Sequence, residues 1–360
     1  MKQTLSYNIH DILKFKITRD RGHGLRDLIN LKFSFFEVEA IDNPDITLNI
    51  GKFAPSNEKC YLVDHKYYIK ENYLYCSESE GKGRWELEIK GVEDDNVIIN
   101  FDGGITGIQS LINRDFIAQI LLLNIIEYKL AQRGYFLLHA AGVSKDGQAY
   151  IFAGRGGTFK TSICLDLVRR AGFSLLGDDH VILHEREVLS FPTSPRVLDF
   201  MFRYLPDENS WNFLNKLRFA KYIWSKRKKE VMEDIIVRIS EPSKLKRLFF
   251  IVRTNKKEMS KRELSLEEAT AKFITNNELE YFISLSRMGI NSAPFLRYML
   301  AYSFVFPRSS VASLQSVQKR KVEALLSSIA PIYEVEVPAH YSGATFNQIL
   351  RLLDLGWRVV

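Results

Sequence analysis

Ala149-Tyr-Ile-Phe-Ala-Gly154-Arg-Gly156-Gly157-Thr-Phe159-Lys160-Thr161 is an apolar run that breaks into three glycines and closes on Lys-Thr. The reading is a buried strand that delivers a glycine-rich turn to the N-terminus of a helix. Lacking Cβ atoms, Gly154, Gly156 and Gly157 let the backbone take φ > 0 and turn its N–H groups inward, as an anion cradle requires. In such a cradle Lys160 supplies a point charge for the β- and γ-phosphates of ATP and the Thr161 hydroxyl ligates Mg²⁺. The positive end of the following helix adds to the attraction. The candidate nucleotide contacts are therefore Gly154, Arg155, Gly156, Gly157, Thr158, Phe159, Lys160, Thr161 and Ser162. Phe159 stands where the pattern G-x-x-x-x-G-K-[ST] has its last glycine, so its ring must point away from the phosphates or distort the loop. The competing reading is an ordinary strand–helix turn with a surface lysine.

The flanking sequence favours the first reading. Apolar residues through Thr161–Arg170 fit a helix on a sheet, and Gly172 is placed to cap it. The apolar strand Phe173–Gly177 then delivers Asp178 and Asp179, 18 and 19 residues past Lys160. Ligands of open α/β sheets bind at the carboxyl ends of strands. Of two carboxylates beside a triphosphate, one can hold Mg²⁺ and the other can accept a hydroxyl proton. Upstream, Phe136–Val143 is a short apolar strand carrying His139, and the tight turn Lys145-Asp146-Gly147 leads into the strand Gln148–Ala153. That hairpin places His139 within reach of the loop. A satisfied core histidine is the alternative.

His139-Ala-Ala-Gly, then Gly-Arg-Gly-Gly-Thr-Phe-Lys160-Thr161, then Gly-Asp178-Asp179-His-Val resembles the catalytic core of HPr kinase/phosphorylase and related proteins, and is similar to the phosphate-loop core of phosphoenolpyruvate carboxykinase. The resemblance covers residues 135–200 well and extends loosely to about 350. It implies that His139, Gly154, Gly157, Lys160, Thr161, Asp178 and Asp179 surround ATP, Mg²⁺ and an acceptor hydroxyl. The proline-containing segment Phe191–Leu198 matches a segment that follows the Asp-Asp strand in that family, which makes Arg196 a candidate phosphate or acceptor contact. Thr161-Ser162 replaces the bacterial enzyme's serine and glutamate, so the phosphocarrier protein HPr does not follow as the substrate, nor does phosphorolysis.

The 360 residues allow two domains, and 46% apolar with 26% charged residues is ordinary for a globular chain. Cys60, Cys76 and Cys164 have no metal-ligand spacing and form no even set, which points to a reducing, cytoplasmic compartment. The N-terminal residues show no secretory segment, and Ile120–Ile126 is too short to span a bilayer. Residues 1–110 read as a β-rich domain, with strands at Ile46–Ile50, Tyr67–Ile69, Tyr73–Cys76, Trp85–Ile89 and Val97–Phe101. Residues 111–134 read as a linking helix and 135–360 as an ATP-binding domain. In the latter, Lys244–Val252 reads as a strand, Ser265 as the cap of a helix over 264–273, Ile332–Pro338 as a strand and Thr345–Asp354 as a closing helix. Arg19–Gly24 is a solvated loop or a ligand loop.

The net charge of +7 is concentrated in Lys216, Arg218, Lys221, Lys226, Arg227, Lys228 and Lys229, with Trp211, Phe213, Phe219, Tyr222 and Trp224 interleaved. Such a stretch suits an anionic partner or a solvated helix face. No recognised nucleic-acid motif accompanies it, and nucleic acid is not the expected partner. The expectation is an α/β phosphate-loop kinase core after a β-rich domain, transferring the γ-phosphoryl of ATP to a hydroxyl on a small molecule, peptide or protein, with His139, Lys160, Asp178 and Asp179 as its catalytic groups and Thr161 and Asp178 on the metal. The alternatives are a degenerate kinase that binds nucleotide for a partner protein, and an ATP-hydrolysing switch or nucleic-acid factor that uses the basic stretch. Self-association into a homo-oligomer is left open.

Overall fold

A computed structural model describes residues 2–19, 27–107, 110, 114–193, 239–256, 259–286, 290, 294–329, 331–340 and 343–352. Arg196, the basic stretch 216–229 and most of the loop 19–24 lie outside the described residues. The chain divides into two compact units, Met1–Gly134 with Glu278–Gln318, and Tyr135–Asn277 with Lys319–Val360.

The first unit carries strands β1 Gln3–Ile9, β2 Leu13–Arg19, β3 Glu37–Val38, β4 Ile46–Ile50, β5 Tyr61–Val63, β6 Tyr67–Lys70, β7 Tyr73–Glu80, β8 Gly83–Lys90 and β9 Val97–Ile105. They form one sheet in the order β3-β1-β2-β4-β9-β8-β7-β6-β5, in which β4 runs parallel to β2 and to β9. The hairpin β1–β2 buries Tyr7 and Phe15, whose rings stack at 4.6 Å. The first helices are α1 Leu28–Phe33 and α2 Phe116–Gln132, the latter lying mostly buried within this unit. Arg19, read above as part of a loop, ends β2 and is buried in an ion pair with Asp27 at 2.6 Å.

The second unit's strands are β10 Phe136–Leu138, β11 Ala140–Lys145, β12 Gln148–Ala153, β13 Ser174–Gly177, β14 His180–His184, β15 Glu187–Phe191, β16 Ser243–Arg253, β17 Ser260–Glu263 and β18 Tyr333–Val337. The order is β10-β14-β15-β16-β12-β11-β13, with β18 beside β16 and β17 beside β18. Helix α3 Lys160–Ala171 packs on β11 and β13 and ends at Gly172, which adopts φ 69°. Period-two alternation splits β12 between two layers. Ile151 and Ala153 share a core with Phe250, Phe273 and Leu326, while Phe152 stacks on Phe249 at 5.5 Å.

Further helices are α4 Leu266–Ser286, α5 Pro294–Val305, α6 Ser310–Ile329 and α7 Gly343–Leu352. Ser265 Oγ accepts from Glu268 N at 3.2 Å while Ser265 N donates to Glu268 Oε2 at 3.0 Å, so a reciprocal capping box starts α4. No helix among the described residues is long and apolar enough to cross a membrane.

Three features differ from the sequence reading. The apolar run 136–143 is two strands, β10 and β11, broken at His139. The helix begun at Leu266 runs on to Ser286. Residues 278–318, assigned above to the C-terminal domain, pack with the first unit, because α5 carries hydrogen-bonding aromatics suited to that sheet. Trp85 Nε1 donates to the Tyr298 hydroxyl at 2.9 Å, Asn72 N donates to the Tyr302 hydroxyl at 3.0 Å, and Tyr302 donates to Glu93 at 2.7 Å. Tyr298→Phe leaves the buried Trp85 N–H without its acceptor and should cost about 1–3 kcal/mol. Urea denaturation followed by tryptophan fluorescence checks this, and unchanged stability would contradict the contact.

Candidate functional site

The hairpin β11–β12 turns at Asp146 and Gly147, which adopt φ 53° and 69° and give the chain reversal that both residue types tolerate. Its register pairs Ala140 with Ala153, so His139 and Gly154 leave the hairpin side by side. The pairs Gly142–Gly177 and Leu138–Val181 then bring Asp178, Asp179 and His180 to the same edge. Three segments far apart in sequence thus converge through backbone pairing alone.

Gly154 has φ 149°, and a Cβ there would stand 2.5 Å from Ile251 O, so only glycine fits. Gly157 has φ 84°. Thr158 is buried and donates its hydroxyl to Arg155 O at 2.7 Å, closing the turn. Phe159 caps α3 in the left-handed conformation, φ 65° and ψ 14°, where an L-residue with a Cβ costs roughly 1–2 kcal/mol. Its ring lies under the Arg253 guanidinium, 5.1 Å from centroid to Cζ. The loop therefore keeps the backbone conformation that a glycine would favour while carrying a ring.

Lys160, the first residue of α3, is only 7% exposed. Its Nζ donates to Gly154 O, lies 3.3 Å from Arg155 O and lies 3.4 Å from His139 Nε2. Carbonyls gather round it because a buried ammonium must keep acceptors to replace water. An ammonium facing Nε2 needs a lone pair there, which puts the imidazole proton of a neutral His139 on Nδ1. Nδ1 lies 3.8 Å from Asp179 Oδ1.

Asp178 is 2% exposed, and its Oδ1 accepts from Thr193 N at 2.9 Å and Thr193 Oγ1 at 3.1 Å. Its backbone carbonyl accepts from Thr161 Oγ1 at 3.2 Å, so the Thr161 hydroxyl and the Asp178 residue adjoin. These are hard oxygen donors of the kind Mg²⁺ takes. Asp179 sits between two imidazoles, with Oδ2 3.6 Å from His180 Nδ1. Donor atoms of His139, Asp179 and His180 all lie within 4.8 Å of one another. Two nitrogens and one carboxylate suit a borderline divalent ion such as Zn²⁺ better than Mg²⁺. Ser162 and Cys164 are buried in the first turns of α3. Burial, and then the charge of Asp178, raises the Cys164 thiol well above its ordinary pKa, so it is neutral and takes no nucleophilic role.

The structure thus brings together His139, Lys160, Thr161, Asp178 and Asp179 of the expected residues. Sequence reasoning missed His180, Thr193, Arg253, Asn276 and Asn277. Asn277 Oδ1 accepts from His139 N at 3.0 Å and its Nδ2 donates to Leu137 O at 2.9 Å. Asn276 Nδ2 donates to His139 O at 2.7 Å, and Arg155 Nη1 donates to Asn276 O at 2.8 Å. Two adjacent asparagines are poor choices for a helix interior, and that was a legible signal that their side chains serve something other than the helix.

The chain matches no protein-family model and no curated protein.

Asn277→Ala removes two hydrogen bonds on the bend between β10 and β11 and leaves the one from Asn276. It should lower the stability of this unit by about 1–3 kcal/mol and shift the His139 imidazole resonances. Histidine ¹H–¹⁵N spectra together with denaturant titration check this; an unmoved His139 resonance would show that the clamp does not position the ring.

Proposed function

We propose that this protein is a kinase that transfers the γ-phosphoryl group of ATP to a hydroxyl acceptor. The observation that carries the reading is the convergence, within one unit, of a glycine-loop lysine on an imidazole and of that imidazole on a carboxylate, at 3.4 and 3.8 Å, with a hydroxyl and a second carboxylate-bearing residue adjoining at 3.2 Å. Phosphoryl transfer asks a protein for positioning and charge stabilisation more than for covalent chemistry, and these groups supply both.

Each residue has a defined task in this reading. Lys160 exchanges the carbonyls of Gly154 and Arg155 for phosphate oxygens. The loop N–H groups and the N-terminus of α3 face the same charge. Thr161 and Asp178 would hold Mg²⁺, which when bound neutralises charge on the phosphates. Thr193 keeps the Asp178 carboxylate oriented. Asp179 accepts the proton of the acceptor hydroxyl as the acceptor oxygen bonds to phosphorus and the bond to the β-phosphate oxygen breaks, releasing ADP. His139 faces Asp179 through Nδ1 and meets the transferring group from the side of Lys160. The acceptor is a small molecule, a peptide or a protein bearing an alcohol.

The Phe159 backbone supports a second reading, a nucleotide-binding module without transfer that serves a partner, since a side chain occupies the place where glycine gives the loop its freedom. One series separates the two. Lys160→Ala should abolish calorimetrically detectable ATP binding. Asp179→Asn should leave ATP affinity within about threefold while transfer of γ-labelled phosphate to acceptors in a cell extract falls by about 10²–10⁴. Wild-type protein that binds ATP and labels no acceptor speaks for the module; wild-type protein that binds neither ATP nor ADP removes both readings.

A further inference from the structure

Arg253 is the last residue of β16, the parallel neighbour of β12. The register pairs Ala153 with Phe250, so β16 continues three residues beyond the end of β12 and runs alongside the glycine loop. The Arg253 guanidinium lies over the Phe159 ring, and one of its nitrogens is 3.8 Å from where a Cβ of Gly157 would stand. The side chain is exposed, and no carboxylate among the described residues pairs with it. The charge of Lys160, by contrast, is held by loop carbonyls. Among the described residues, Arg253 is therefore a cation without a carboxylate partner beside the glycine loop. A guanidinium stacked on an aromatic ring keeps its in-plane N–H donors free, and their fork matches two phosphate oxygens.

We propose that Arg253 contacts the terminal phosphate of the nucleotide and that Phe159 is the positioning residue that holds it there. This accounts for the departure of the loop from the glycine pattern. A glycine at 159 would adopt the same backbone at no steric cost but would leave the guanidinium without its platform. The ring lies against the guanidinium at the end of β16. A protein so built distinguishes nucleoside triphosphate from diphosphate by a group outside the recognised motif. During transfer the same guanidinium sits where charge spreads over the transferring phosphoryl.

The inference rests on the nucleotide reading of the loop, and one experiment tests the two separately. Calorimetry on the full chain with Mg²⁺ uses β,γ-imido-ATP and ADP as probes. Arg253→Ala and Arg253→Gln should each weaken β,γ-imido-ATP binding by about tenfold or more while ADP changes by less than about threefold, the pattern of one lost charge-assisted contact to the terminal phosphate. Phe159→Gly should move the triphosphate-to-diphosphate ratio in the same direction by a smaller factor. Arg253→Lys should not restore the ratio, since an ammonium neither stacks nor forks. Arg253 is exposed at a strand end, so its variants should keep the wild-type melting temperature. An unchanged ratio in the Arg253 variants, or equal losses for both nucleotides, overturns the proposal and leaves the loop reading standing. Failure of wild-type protein to bind either probe overturns both.

Discussion

The meeting of Lys160 with His139, on which the candidate site turns, depends on the antiparallel register of β11 and β12. Pairing Ala140 with Ala153 places His139 level with Gly154, and a slip of one residue would turn each side chain of β12 to the opposite layer. Such a slip would take Ile151 and Ala153 out of the core they share with Phe250, Phe273 and Leu326 and would separate Lys160 from His139. The register is held at one end by the Asp146-Gly147 turn and along its length by the alternation of buried residues. The bend at His139 is held by Asn276 and Asn277. Local turn chemistry, strand periodicity and a distant helix therefore agree on one arrangement.

The electrostatics follow from that arrangement. Lys160, His139 and Asp178 are each less than 10% exposed. Ionised groups leave water only when other dipoles or charges replace its hydrogen bonds. Loop carbonyls do this for Lys160 and the Thr193 N–H and hydroxyl do it for Asp178. Among the oxygen partners of the lysine are the backbone carbonyls of Gly154 and Arg155, whereas Asp178 Oδ1 accepts from the backbone N–H and hydroxyl of one residue, Thr193.

Phe159 shows how local cost and tertiary gain are set against each other. Left-handed backbone is disfavoured for any residue with a Cβ, and most so for bulky ones. The conformation persists because the surrounding structure over-determines it. The helix begins at Lys160, the turn closes through Thr158, and the ring has a place under Arg253. Strain of this sort collects where a loop must present its backbone in one way.

Much of this was legible in the sequence. The glycine loop, the helix after it with its Gly172 cap, the strand into Asp178-Asp179 and the Ser265 cap are local patterns of propensity, turn chemistry and apolar period, which a linear reading carries. The break at His139 was not legible, since a bend imposed by Asn276 and Asn277 leaves no mark in the apolar run 136–143. The hairpin of β1 and β2 was overlooked because Asn8–Ile12 forms its turn without glycine or proline. The placement of residues 278–318 in the first unit depended on Tyr298 and Tyr302 finding Trp85, Asn72 and Glu93, more than 200 residues away. Sequence alone thus determined the glycine loop, the helix that follows it and the strand into Asp178-Asp179, because each is a local pattern of turn chemistry and apolar period. Only tertiary structure decided that Arg253, His180 and the two asparagines belong beside them, because strand pairing and helix packing join positions whose separation along the chain carries no period.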